Sequence, residues 1–534
     1  MRLQLTLDLL PPDGYYICRI WFFGKGERHF SGIAGMMDKQ VLVIGAGLAG
    51  LSAGIYARRC GYPCRIVEQH SAPGGVAAAW RRKDFLIDGG VHFLMGAKSG
   101  QAVQSLFGEL GLDFNGRLVE MRTYGRYVDE NKGRRIEVTQ DLDRLARDLK
   151  GYSGEDAPLI DDLVNGARRL RGLDLGQLGL SQPPEISGRW GIWKDLWKAR
   201  RAWNVFAGKY ARSMADFTRD CSDPWLRSVL NNLFLPEVPV WFVCLILALL
   251  AQGDLGYIKK GCPDLVQSLE KQFESLGGEL ATNALVEEIL VEDGRACGLR
   301  LANGEILRAG AVISAADGHS TLFHMLGAGR YTDKAAQRRY AEWKLTPSFL
   351  LASFGVAREF PQEVPFTTIS LMHPFLVNNH KVENLFLRIF NYSGAFAPKG
   401  KSVIQAEVEA DFDYWQTLRL EDRSRYEKEK QRLAAEVLKR LEKHYPGLAG
   451  QVEMTDVATP ATIWRYTRNH RGAYMAWLPT PKFFRTLLPR TLKGLADFYM
   501  AGQWVVGGGV IPCLYSGRQA VQLLCRADKK PFRP

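Results

Sequence analysis

No stretch of this 534-residue chain stays apolar for the roughly 20 residues that a membrane-crossing helix needs. The most hydrophobic run, 240–251, is too short to span. It is closed off by Pro236 and Pro239 upstream and by Gln252-Gly253-Asp254 downstream. Apolar all round, it is expected to be a core helix or the lining of an apolar tunnel. Nine cysteines contain no CxxC pair, and Cys60 and Cys64 flank a turn, so ordinary packing is expected of them rather than a metal or a disulfide. Cysteine use of this kind suits a reducing compartment. The histidines form no zinc-type cluster, no metal is expected, and no GxSxG elbow is present. Internal repeats and low-complexity tracts are absent. Charge of one sign is in surplus: the net is +13, yet the basic residues are dispersed and no nucleic-acid motif accompanies them. Nucleic acid is therefore not an expected partner, and an anionic membrane surface is.

What is there begins at Lys39. Val41-Leu42-Val43-Ile44 reads as a short buried strand, Gly45-Ala46-Gly47-Leu48-Ala49-Gly50 follows, and a helix is expected over 51–59. A second β-rich run, Cys64-Arg65-Ile66-Val67, ends in Glu68, about 20 residues past Gly45, as a dinucleotide fingerprint requires. Gly45, Gly47 and Gly50 permit a tight turn and close backbone approach, so a pyrophosphate can rest on the helix N-terminus. Glu68 is placed to accept hydrogen bonds from ribose hydroxyls. A second glycine turn, Pro73-Gly74-Gly75, comes next, then Trp80-Arg81-Arg82-Lys83 and Phe85-Leu86-Ile87-Asp88-Gly89-Gly90-Val91-His92-Phe93. A nicotinamide dehydrogenase needs no such second turn, whereas a flavin needs a longer cradle. Gly74 and Gly75 allow backbone approach, and Arg81 or Arg82 can neutralise phosphate.

This order of motifs resembles the phytoene desaturase, carotenoid isomerase and retinol saturase family of FAD-dependent oxidoreductases. The resemblance resumes at Gly256–Cys262, at 276–317 and near the end, in Phe498-Tyr499-Met500-Ala501-Gly502-Gln503-Trp504 and Gly507-Gly508-Gly509-Val510-Ile511-Pro512. It implies FAD as cofactor, held by the two glycine turns, Glu68, Arg82, Asp88, Gly89, Val286 (beside the adenine, through its backbone), Gly502, Gln503 and Val510. Cys262 departs from the glycine common in relatives. His92, within Gly-Val-His-Phe, tilts the resemblance toward the saturase branch and is the one candidate proton donor or acceptor.

The implied fold is α/β: a discontinuous Rossmann-type FAD-binding domain, glutathione-reductase-like, with an inserted α+β substrate domain. The cofactor domain is expected at 37–120, 255–330 and 450–525. The substrate and membrane-facing domain is expected at 121–254 and 331–449, with a tail at 526–534. Residues 1–36 do not fit the pattern: Met36 and Met37 mark the expected functional start, and the leader is expected to be disordered or an artefact of start assignment. Between Arg189 and Arg212, Trp190, Trp193, Trp197 and Trp203 alternate with lysine and arginine, the composition of a helix lying in a bilayer interface or packing its tryptophans on the core. Cytoplasmic, monotopic membrane association is the expected location. Residues 426–444 read as an ordinary surface helix. Arg465 or Tyr466 stands where substrate contact is conceivable, with a structural role expected for each.

The expected chemistry is hydride transfer at flavin N5 that desaturates, saturates or isomerises C–C bonds of a hydrophobic isoprenoid or polyene. With a single dinucleotide fingerprint, the electron partner is open among a quinone, oxygen and NAD(P). Two other readings stand beside it: a flavin amine oxidase acting on a small amine, and a non-catalytic prenyl-lipid carrier on the same fold.

Overall fold

Val41–Ile44 is buried on both faces and pairs in parallel with Cys64–Val67 on one side and Ala311–Ser314 on the other, Val41 opposite both Cys64 and Ala311. Glu279–Ala281 and Phe498–Met500 complete a five-stranded parallel sheet in the order 279–281, 64–67, 41–44, 311–314, 498–500. Strand alternation sends its residues into two cores. Val41, Val43, Ile66 and Ile313 pack with the helices Leu48–Arg59, Cys262–Ser275 and Val510–Ala527. Leu42, Ile44, Val67 and Val312 pack with the antiparallel meander Val286–Glu292, Arg295–Leu301 and Ile306–Arg308. The first helix begins earlier than its apolar spacing suggests, at Leu48 directly after Gly47. A Cβ at Gly50 would penetrate the carbonyl oxygen of Gly45, so the strand-to-helix turn can be this tight only with glycine there.

The computed structural model describes residues 39–97, 102–173, 181–187, 203–206 and 208–534. Residues 1–36 and Trp190, Trp193 and Trp197 lie outside these. Within Gln40–Pro534 a second sheet of seven strands runs in the order Val452–Ala458, Phe349–Val356, Ser402–Glu409, His380–Ile389, Phe366–Val377, Thr123–Asp129, Arg134–Thr139. Only the pair formed by Phe366–Val377 and Thr123–Asp129 is parallel. Its outer face is covered by Phe412–Glu421 and Arg423–His444, the latter burying Tyr426, Leu433, Val437 and Leu441. Val240–Ala251 is a helix buried along most of its length, with Trp241 and Phe242 half-buried. Among the described residues no helix is long and apolar enough to cross a membrane, and no cluster of histidine, cysteine and carboxylate is arranged to hold a metal.

Candidate active site

The turns that follow the parallel strands converge at one edge of the sheet. Gly45–Leu48, Gly74–Ala77, Ala315–Asp317 and Gly502–Trp504 line a cavity of about 360 Å³, which Val286 closes on one side. The N-terminus of Leu48–Arg59 opens onto it with no side-chain cap at Gly47, leaving helix N–H groups for an anion. At Gly75, where φ is +59°, a Cβ would press to 3.3 Å from the Gly47 Cα, so the two glycine turns approach through bare backbone. Glu68 is buried, with Oε2 accepting the Ala46 N–H (2.7 Å) and Oε1 the His70 N–H (2.9 Å). Burial moves its carboxyl above the usual range against these hydrogen bonds. Backbone walls, an open helix N-terminus and a fixed carboxylate fit a dinucleotide's pyrophosphate and ribose.

The far end of the same cavity is made from side chains. Phe85–Asp88 runs into Gly89-Gly90-Val91-His92, and this turn is clamped from beneath. Asp88 accepts the N–H groups of Cys262 (2.6 Å) and Gly90 (3.1 Å) and the Cys262 thiol (3.1 Å). Arg388, 2% exposed, donates to the Asp88 carbonyl and to Gln405 Oε1, both at 3.1 Å. His92 Nε2 lies 2.8 Å from Glu407 Oε1, and Arg388 Nη1 lies 3.5 Å from the same oxygen. Alternation along two paired strands delivers this: Phe386 and Arg388 share a face of His380–Ile389, opposite Glu407 and Gln405 on Ser402–Glu409. Burial pushes Glu407 upward, but the charges of His92 and Arg388 outweigh it and leave the carboxyl below the usual range. His92 meets Glu407 through Nε2, and Nδ1 is the ring atom free of that bond. Phe366, Phe386 and Tyr474 pack around the imidazole with ring centres 5.8, 5.8 and 6.0 Å away, and the Tyr474 hydroxyl donates to the Gly90 carbonyl. Beyond His92 the cavity turns apolar, with Phe93, Met95, Phe234, Phe242, Ile511 and Pro512 as walls. Phe242 joins a surface aromatic group, since its ring lies 5.8 Å from that of exposed Phe484, which also meets Trp241 at 4.7 Å.

Asp317, which also lines the cavity, accepts the N–H groups of Ser320 and His470, each at 2.7 Å. Burial pushes it up to about 6. The rings of His470 and His319 stack 4.0 Å apart, and burial followed by the His319 charge moves His470 down to about 4.

Of the residues expected from sequence, Gly45, Gly47, Glu68, Gly74, Gly75, His92, Val286, Gly502, Gln503 and Val510 line this cavity. Gly50, Arg82, Asp88 and Gly89 do not. Gly50 serves the packing of the turn, and Asp88 is the buried clamp just described. Gly89 borders a neighbouring cavity, and a Cβ there would stand 2.8 Å from the Trp80 ring. Arg82 is exposed and donates to Asp456 Oδ1 at 2.7 Å, because strand Ala79–Arg82 carries it away from the glycine turns. Tyr466 lines both cavities and Arg465 only the second. Sequence reasoning missed Glu407, Arg388, Tyr474 and Arg468; the last lines the cavity with its Nε on Gln69. The described cysteines are free, and Cys60 Sγ accepts the Arg533 N–H.

Residues 48–525 match the model of the flavin containing amine oxidoreductases. The chain is 25% identical over 524 residues to a phytoene desaturase (lycopene-forming) of Pseudescherichia vulneris, covering 92% of this chain and 99% of that one. It is 24% identical over 517 residues to a chloroplastic prolycopene isomerase of Daucus carota, covering 91% and 80%. In fold it is similar to cyclohexylamine oxidase of Brevibacterium oxydans, with a TM-score of 0.58 at 14% identity, covering 92% of this chain and all of that one. With a family match across most of its length and a cleft that suits the flavin dinucleotide, the chain belongs to the flavin containing amine oxidoreductase family and is an FAD-dependent oxidoreductase.

Proposed function

We propose that this oxidoreductase removes, adds or re-orients a C–C double bond of a long isoprenoid or polyene. The observation that carries the reading is the single cavity in which a backbone-built cofactor cradle meets His92 and then an apolar arm. The names of the relatives, phytoene desaturase and prolycopene isomerase, point to the same substrate class. The parallel sheet and its meander make up a discontinuous Rossmann-type FAD-binding domain at 37–120, 255–330 and 450–525, less the strand Val452–Ala458, which pairs at the edge of the seven-stranded sheet and belongs with it to the inserted substrate domain. Gly45, Gly47, Gly74 and Gly75 hold the pyrophosphate side of FAD, Glu68 the ribose, Val286 the adenine side, and Gly502, Gln503 and Val510 the flavin side.

Bound FAD supplies a hydride acceptor or donor at N5. The protein's own part is orientation and proton handling. Phe93, Phe234 and Phe242 align an apolar chain and exclude water from the reacting carbon. His92, held through Nε2 by Glu407, presents Nδ1 for the proton that leaves or joins the neighbouring carbon. Its electron partner is a quinone, oxygen or a nicotinamide nucleotide. The same cleft supports a polyene over a small amine, because among the described residues the walls beyond His92 are apolar and carry no carboxylate for an ammonium group.

The test presents polyenes in liposomes to the flavin-loaded enzyme and reads products by chromatography and mass spectrometry. Gain or loss of two hydrogens marks saturation or desaturation, and unchanged mass with shifted absorption marks isomerisation. His92→Asn lowers turnover about a hundredfold while the flavin spectrum stays. Turnover of amines with no polyene product overturns the reading. Delivery of such a substrate suits peripheral membrane association: Phe206 packs on Trp241 (5.2 Å), next to exposed Phe484 and Leu487. This places the end of the tryptophan-rich segment beside the aromatic approach to the cleft. Changing Trp190, Trp193 and Trp197 to alanine abolishes vesicle flotation on this reading, and undiminished flotation refutes it.

A further inference from the structure

Beside the cofactor cleft lies a second cavity of about 1040 Å³, with Glu68, Gly75, Val76, Ala77, Tyr466 and Tyr474 common to both. Its walls carry eight lysines and arginines against four carboxylates. The carboxylates offset little of that charge. Asp456 is engaged by Arg82, Asp264 by Arg117 from outside the cavity, and Glu68 by backbone N–H groups. Arg81, Lys260 and Arg419 make no ion pair among the described residues, and Arg423 and Lys430 share the single carboxylate of Glu427 (2.7 and 3.1 Å). Like charges gathered around a concave surface repel one another and focus a positive potential into it, a cost that an anionic ligand relieves.

The distribution of the charges narrows the ligand. Arg81 stands on Ala79–Arg82, Lys260 just before Cys262–Ser275, Arg419 on Phe412–Glu421, and Arg423 and Lys430 on Arg423–His444. Cations on separate walls suit an extended ligand with an anionic end or several phosphates, and a lone inorganic phosphate reaches one wall only. Between them the surface offers rings and aliphatic groups: Trp80, Tyr426, Tyr466 and Leu351. The volume is at the upper end for small-molecule sites.

We propose that this cavity binds an organic phosphate ester of about dinucleotide size, its phosphates on Arg81, Lys260, Arg419 and Arg423 and its aromatic or apolar body against Trp80 and Tyr466. Two sources share that chemistry, a nicotinamide dinucleotide and a prenyl diphosphate. The site borders the FAD cradle, sharing Glu68 and Gly75 with it, and its cations lie outside that cradle; the proposal does not depend on which C–C reaction the enzyme performs.

The experiment uses the FAD-loaded enzyme, in which the cofactor cleft is already filled. NADPH and geranylgeranyl diphosphate are titrated separately by calorimetry at low salt, with inorganic pyrophosphate as the small anion. At least one ester binds more tightly than pyrophosphate, the one that binds identifies the source, and added salt weakens it. The double variant Arg419→Gln, Arg423→Gln weakens that ester about tenfold or more with an unchanged flavin absorbance spectrum, whereas Lys381→Gln, on a remote strand, leaves its affinity as it was. The proposal fails if neither ester binds, if pyrophosphate binds as tightly, or if the double variant binds equally well. Absence of flavin bands in the starting protein counts against the cofactor assignment and not against this cavity, whose titration is read all the same.

Discussion

The two ends of the cleft are built from opposite materials. The cofactor end is backbone: Gly47, Gly74 and Gly75 bring chain against chain, and Glu68 is held by N–H groups. The end around His92 is side chain: Arg388, Glu407, Tyr474 and two phenylalanines, drawn from positions about 300 residues further along the chain. A backbone site tolerates no added atoms. A side-chain site admits changes of shape at its margins but fails when one member of a buried charged set is removed.

That contrast breaks first, and hardest, at Gly50. Gly50→Ala drives a methyl group into the Gly45 carbonyl, with a cost above about 4 kcal/mol and loss of bound flavin. Soluble yield and the ratio of flavin to protein absorbance check it, and a yellow, soluble variant would show the backbone end to be pliable. Next comes Arg388→Met, which leaves Glu407 and the Asp88 carbonyl buried without their guanidinium. Stability falls by about 3–5 kcal/mol in denaturant unfolding, and adding Glu407→Gln recovers part of the loss. No recovery would mean that the arginine acts by packing alone.

The smallest effect lies at Asp317 and His470. His470, lowered from 6.5 to about 4, is protonated more readily in the unfolded chain, so its contribution is intact above pH 6.5 and is lost as pH falls toward 4. Asp317, raised from 3.8 to about 6, contributes below pH 3.8 and loses that contribution as pH rises through 6. The two oppose each other in one window. His470→Gln therefore leaves the Asp317 slope exposed, and stability declines by about 1–2 kcal/mol between pH 4 and 6, relative to the parent's trend. Melting temperatures across that range read it, and parallel curves for both proteins would remove His470 from the balance.

The same division explains what the sequence could disclose. Gly45, Gly47, Gly50 and Glu68 were legible because a strand, a tight turn and a helix demand glycine at fixed local spacing. Glu407 and Arg388 were not, because only the register between His380–Ile389 and Ser402–Glu409 brings them under His92. Arg82 was misjudged for a local reason: strand Ala79–Arg82 runs away from the glycine turns and delivers the guanidinium to Asp456. Val240–Ala251 was read as core helix or tunnel lining: Val243–Leu250 is buried as core, and Phe242 lines the cleft.

The parallel sheet also sets a timetable. Val41–Ile44 needs Ala311–Ser314 beside it, which in turn needs Phe498–Met500. Ser516 then accepts the Gly502 N–H, Ser52 donates to the Leu514 carbonyl, and Gly517 lies so close to the first helix that a Cβ would stand 2.6 Å from the Ala53 nitrogen. At ordinary elongation rates the first strand leaves the ribosome roughly half a minute to a minute and a half before the last one. Throughout that interval the glycine fingerprint is present but its cradle is not, and the apolar faces of the early helix await a partner still being synthesised. The cradle is thus complete only once the chain has been made through Gly517.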